Sequence, residues 1–155
     1  MSSVATSISI QRTGILRPIL IGGGIAGTLD MISAFITFGL GVPRNIAAGL
    51  LGRQAFQGGT AVWILGFFLH YFIAFSAATI YCLASRRLLF LKDHFVVCGL
   101  FYGIAVHLMM NLIVLPLCAF HFTGPYQLRG LIQGLMVHML FIGLPISFSL
   151  RKFST

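Results

Sequence analysis

The sequence predicts an all-α integral membrane protein: a four-helix bundle with both termini in the cytoplasm (N-in, C-in) and a short interfacial helix in its first outer loop. Composition, four long apolar stretches and the placement of basic residues carry this reading. Of 155 residues, 58% are hydrophobic and 8% charged, where a soluble domain carries about 25% charged residues. Mean hydropathy is +1.00. So little polar surface cannot coat a water-soluble fold, and 155 residues suffice for a single transmembrane domain, 1–155.

A helix needs about 20 apolar residues to cross the hydrocarbon. Four stretches meet that length, at about 16–40, 61–84, 95–118 and 131–150. The first opens at Pro18, which suits a first helical turn. Ahead of it, "MSSVATSISIQRTG" has no apolar run before Arg12, so no cleavable signal peptide is expected and the first span serves as its own insertion signal. The first loop, "GVPRNIAAGLLGRQAFQGG", is too long for a tight turn. Pro43 can start a helix there, with Ile46, Leu50 and Leu51 on one side and Arg44 and Arg53 near the other, lying at the outer interface. Trp63 suits an interfacial anchor. In the third loop, Gly124-Pro125 supplies turn chemistry beside a solvated His121.

Orientation follows from the cations. Arg12, Arg17, Arg86, Arg87, Lys92, Arg151 and Lys152 fall on one side, and Arg44, Arg53 and Arg129 on the other. The richer side is cytoplasmic. The net charge of +8 sits singly or in pairs between apolar runs. That is membrane-flanking charge, and it argues against nucleic acid as a partner. The expected partners are the lipid bilayer itself and, through apolar helix faces, other membrane subunits or a second copy of the chain. Cys82, Cys98 and Cys118 are an odd number without CxxC spacing and read as small packing residues.

"GGGIAG" at 22–27 spells GxGxxG. It lacks the preceding strand and the later acid of a dinucleotide site. Gly23 and Gly27 instead form a GxxxG pair, the spacing that lets membrane helices approach. Small residues at steps of four recur on every span. They are Gly22, Ala26, Asp30 and Ala34; Gly66, His70, Ala74 and Ala78; Gly99, Gly103, His107 and Asn111; and Gly130, Gly134 and His138. Residues four apart share a helix face, so each polar group lies on the face that packs against other helices. At 1.5 Å per residue, Asp30, His70, His107 and His138 lie roughly 11–17 Å from the outer ends of their spans. Four helices thus each contribute one titratable group to an intramembrane layer.

The stretches "LHYFIAFSAATIYCLASRR", "VHLMMNLIVLPLCA" and "HMLFIGLPISFSLRK" resemble the YagU-like bacterial inner-membrane proteins, over about residues 60–152. That resemblance implies a multi-pass helical protein of the bacterial inner membrane. It also implies a histidine in each of the last three spans, here His70, His107 and His138, and a proline closing the third, here Pro116. It names no reaction. Asp30 is not part of the resemblance and rests on this sequence alone.

A charge at mid-bilayer costs about 2.5–3.5 kcal/mol on insertion scales, which calls for a partnered or protonated Asp30. Four chemistries are open to the layer. Neutral imidazoles ligate transition metals, so His70, His107 and His138 with a carboxylate could form a metal shell. The Asp30, His70, His107, Asn111 and His138 layer could relay protons. Two histidines could hold a haem iron. The groups could also only hydrogen-bond across helices, at about 0.6 kcal/mol each. A different class of function is an accessory or assembly subunit of a larger membrane complex. Met109, Met110, Met136 and Met139 read as packing. Pro116 and Pro145 free the carbonyls of Leu112 and Phe141 and should bend their helices. No nucleophile–base pair or phosphate loop is present, so soluble enzyme chemistry is not expected.

Overall fold

Helix α1 (Ser2–Phe38) runs antiparallel to α3 (Thr60–Ala84), α5 (Phe95–Leu117) crosses the bundle again, and α6 (Leu128–Phe153) returns beside α1. The computed structural model describes residues 2–121 and 127–153, with side chains from residue 14 onward. The expected turn at Gly124-Pro125 lies outside the described residues. Two short helices complete the chain: α2 (Val42–Leu51) between α1 and α3, continued by a 3₁₀ turn (Gly52–Gln57), and α4 (Phe90–Asp93) between α3 and α5. Ser149 on α6 donates its hydroxyl to the carbonyl of Pro18 at 3.1 Å, so the chain's start and end share one end of the bundle. We call this the terminal end; α2 marks the loop end.

Among the described residues, four helices are long and apolar enough to cross a membrane: Gly14–Phe38, Thr60–Ala84, Phe95–Leu117 and Leu128–Phe153. In hydrocarbon every backbone group must be satisfied within the segment, which a helix does by itself. Their outer faces are apolar and bare: Ile36 is 81% exposed and Phe68 and Phe101 each 67%. That is the surface a lipid-facing helix requires. α1 stops where Gly39 takes φ +78°, its N–H reaching the carbonyl of Phe35 at 2.9 Å, a left-handed cap that glycine adopts without strain.

One expectation changes. Pro18 does not open the first helix: α1 begins at Ser2 and runs through it. The missing proline N–H leaves one helical carbonyl without its usual donor, and the chain continues in helix on both sides. The first loop folds into a helix, as expected, and packs on α3 through its small residues. Val42, Pro43, Ala47 and Ala48 are buried, while Leu50 and Leu51 are exposed. Small alanines allow closer packing on α3 than Ile46, Leu50 and Leu51 would. Gly66 completes this contact, because a Cβ there would overlap the carbonyl of Pro43. Trp63 donates its indole N–H to the carbonyl of Leu40 at 2.9 Å, pinning the chain just beyond the end of α1.

The main core gathers Ala26, Ala77, Ala78, Tyr81, Cys82, Val106, Ile142, Ile146 and Leu150 from all four long helices. A satellite of Ala47, Ala48 and Ala55 packs on Val62 at the loop end.

Candidate functional site

Asp30 stands eight residues from Phe38, His70 ten from Thr60, His107 ten from Leu117 and His138 ten from Leu128. At 1.5 Å per residue these are depths of about 12–15 Å below the loop end. Helix rotation then divides the four groups into two pairs, one at each helix–helix seam.

The first pair lies between α1 and α3. A Cβ on Gly27 would come within 3.1 Å of the Ala74 methyl and 3.2 Å of the Tyr71 ring, so glycine here sets the close approach of the two backbones. One turn away, His70 Nε2 lies 2.8 Å from the carbonyl oxygen of Gly27. A carbonyl only accepts, so Nε2 carries the proton and donates. Nδ1 is left with its lone pair, and it lies 4.0 Å from Asp30 Oδ2. That separation exceeds a direct hydrogen bond and suits a single bridging water. The side chains of His70 and Asp30 are 11% and 20% exposed. Thr28 spends its proton on the carbonyl of Gly24 at 2.8 Å, so Tyr71 donates its phenol to Thr28 Oγ1 at 3.0 Å. Tyr71 also meets the His70 ring edge to face, at 5.5 Å between centroids.

The second pair lies between α5 and α6. Gly99 faces Gly143 and Ser147, and Gly103 faces the backbone of His138 and Met139 so closely that a Cβ at either glycine would overlap its neighbour. One turn on, His107 stands over Gly134, where a Cβ would lie 3.0 Å from its Cε1. The bare glycine makes room for the ring. His107 is buried and meets the His138 ring at 5.2 Å between centroids, inclined 65°. His138 donates Nδ1–H to the carbonyl of Gly134 at 2.7 Å, which leaves Nε2 as an acceptor. Asn111 donates its amide to the carbonyl of His107 at 2.9 Å and lies 3.4 Å from His107 Nδ1.

A shell of His70, His107 and His138 around one metal is not formed: among the described residues no three histidine, cysteine or acidic side chains gather as metal ligands. His70 is turned toward α1 by its bond to Gly27, while His107 and His138 face each other. Sequence spacing gives each group's depth but not the direction in which the helix presents it.

Sequence reasoning missed the backbone around the second pair. α5 opens into a π turn at Met110–Val114 and α6 at His138–Gly143. In each, the residue before a proline reaches back five positions: Leu115 N–H to Met110 and Leu144 N–H to Met139. Pro116 and Pro145 follow at once. The disturbance expected at the prolines thus takes the form of a wide turn. Each π turn contains or adjoins a polar group of the site, a placement common at functional positions.

Comparisons with family models, curated proteins and solved structures find no match to this chain.

Proposed function

We propose that this is a small multi-pass protein of the bacterial inner membrane that takes up and passes protons through its paired intramembrane groups. The observation that carries this reading is the Asp30–His70 contact. His70 holds its only neutral-state proton on Nε2, against Gly27, and turns the Nδ1 lone pair toward a carboxyl oxygen 4.0 Å away. One proton can then sit on the Asp30 carboxyl or, carried through a bridging water, on Nδ1. The first state is a neutral carboxyl beside a neutral imidazole and the second a carboxylate–imidazolium pair; both have zero net charge, so the proton shifts without leaving a net charge in the hydrocarbon. The division into two pairs supports proton handling over a shared metal shell, because proton transfer needs donor and acceptor in sequence and not three ligands around a point.

The test uses the full-length protein in vesicles with a pH-sensitive dye inside and an imposed gradient. Wild-type protein should carry a proton flux above protein-free vesicles. Asp30→Asn and His70→Gln should bring it back to that background while the proteins remain helical and monodisperse. A wild-type flux equal to background, or variants that conduct as wild type, would sink the proposal.

A second reading has its own observation. Two imidazoles face each other over Gly134 with Asn111 beside them, and imidazole is a ligand for zinc, copper, iron or nickel. Metal analysis of the purified protein decides it: His107→Ala or His138→Ala should lose a bound metal that Asp30→Asn retains. An accessory role in a larger complex would show as flux-inactive, metal-free protein that co-purifies with other membrane subunits at fixed stoichiometry.

A further inference from the structure

At the terminal end, α3 and α5 are joined by two tyrosines and otherwise stand apart. Tyr102 donates its phenol to the carbonyl of Ala77 at 2.7 Å, Tyr81 donates to the carbonyl of Leu91 at 3.3 Å, and their rings lie 4.8 Å apart. Outside this bridge a groove of about 710 Å³ runs between the helices under α4, walled by Ile80, Ala84, Leu88, Val97 and Phe101 among others. Both phenols in its wall and the Cys98 thiol are already bonded to backbone carbonyls, so apart from His94 at its edge the wall offers hydrocarbon. It therefore excludes a polar ligand and suits an alkyl chain.

Its rim is different in kind. The connection from α3 to α5 carries Arg86, Arg87 and Lys92 against one carboxylate, Asp93, with His94 at the groove's edge. This connection begins where α3 ends at Ala84 and closes where α5 starts at Phe95, so it lies at the depth of the lipid headgroups. Basic rims above clefts between membrane helices bind anionic headgroups. We infer that the groove between α3 and α5 is a site for an anionic phospholipid, with one acyl chain along Ile80, Val97 and Phe101 and its phosphate at Arg87 and Lys92. The apolar wall selects the chain, and the cationic rim selects the charge.

The experiment is native mass spectrometry of the full-length protein released from mixed micelles containing phosphatidylglycerol and phosphatidylcholine of identical chains. Wild-type protein should retain phosphatidylglycerol in preference. Arg87→Ala and Lys92→Ala should each reduce that preference about five-fold, the worth of one cation at a membrane surface. Ala84→Trp, and separately Val97→Trp, should fill the groove and reduce retention of both lipids. Equal retention of the two lipids by wild type needs no variant to interpret and would overturn the inference. So would rim variants with an unchanged preference. If a tryptophan variant instead splits a dimer into monomers and leaves lipid retention intact, the groove holds a second copy of the chain and the lipid assignment is wrong.

Discussion

Gly103 and Gly130 occupy the paired helices α5 and α6 and differ in what a methyl group would meet. At Gly103 it would overlap the backbone of His138 and Met139; at Gly130 it would meet open space. Gly103→Ala should therefore destabilise the bundle by about 1–3 kcal/mol, the usual range for overpacking. Gly130→Ala should stabilise it by about 0.5–1 kcal/mol, because alanine loses less conformational freedom than glycine on entering a helix. Thermal unfolding in one detergent measures both. A Gly103→Ala protein as stable as wild type would mean that the α5–α6 seam is looser than drawn. The "GGGIAG" run divides in the same way. Gly23 and Gly27 touch α3 and Gly22 touches α6, while Gly24 touches nothing, so Gly24→Ala should be tolerated. The four-residue spacing made the contacting glycines legible in the sequence. It also gave the depth of Asp30, His70, His107 and His138. It could not give their partners, which depend on hydrogen bonds to Gly27 and Gly134 that no spacing encodes.

At the scale of the helix, the four spans were readable because length and hydropathy decide them directly. The ends fell within a few residues of the observed limits. The π turns were not readable, because a proline announces a disturbance but not its form. Pro145→Ala restores an N–H and removes the ring that blocks ordinary α geometry. The turn at His138–Gly143 should then close, and a one-residue change of register would rotate His138 relative to the rest of α6. In protein labelled with ¹⁵N-histidine, the imidazole signals of His138 and His107 should move while those of His70 stay in place. Unchanged His138 signals would show that packing, and not Pro145, holds the turn open. At α2 the sequence marked the helix and its apolar Leu50 and Leu51, which stay exposed. It did not mark the contact with α3, which is built from Ala47, Ala48 and the close approach of Pro43 to Gly66. Trp63→Phe keeps the aromatic ring and loses the bond to Leu40, and should cost about 0.5–1.5 kcal/mol.

For the whole molecule, the arrangement is two seams, α1 with α3 and α5 with α6, joined through the contact of α1 with α6. The orientation argued from basic residues is tested by impermeant thiol labelling in a cysteine-free background. A cysteine at Gln57 should react in intact cells, and one at Arg87 only after permeabilisation; the reverse pattern would invert the molecule. The seam between α5 and α6 has a directional effect. Along this seam Gly99 and Gly103 directly meet the Ser147 side chain and the backbones of Gly143, His138 and Met139, and Ile142, Ile146 and Leu150 close the space around it. Beyond His107 the helices reach Gly134, half-buried, and then Gly130, exposed. Toward the terminal end the histidine pair is thus closed off by this tight seam. The seam therefore acts as a partition: anything passed on from His107 and His138 toward the terminal end has to leave by a route other than the α5–α6 line.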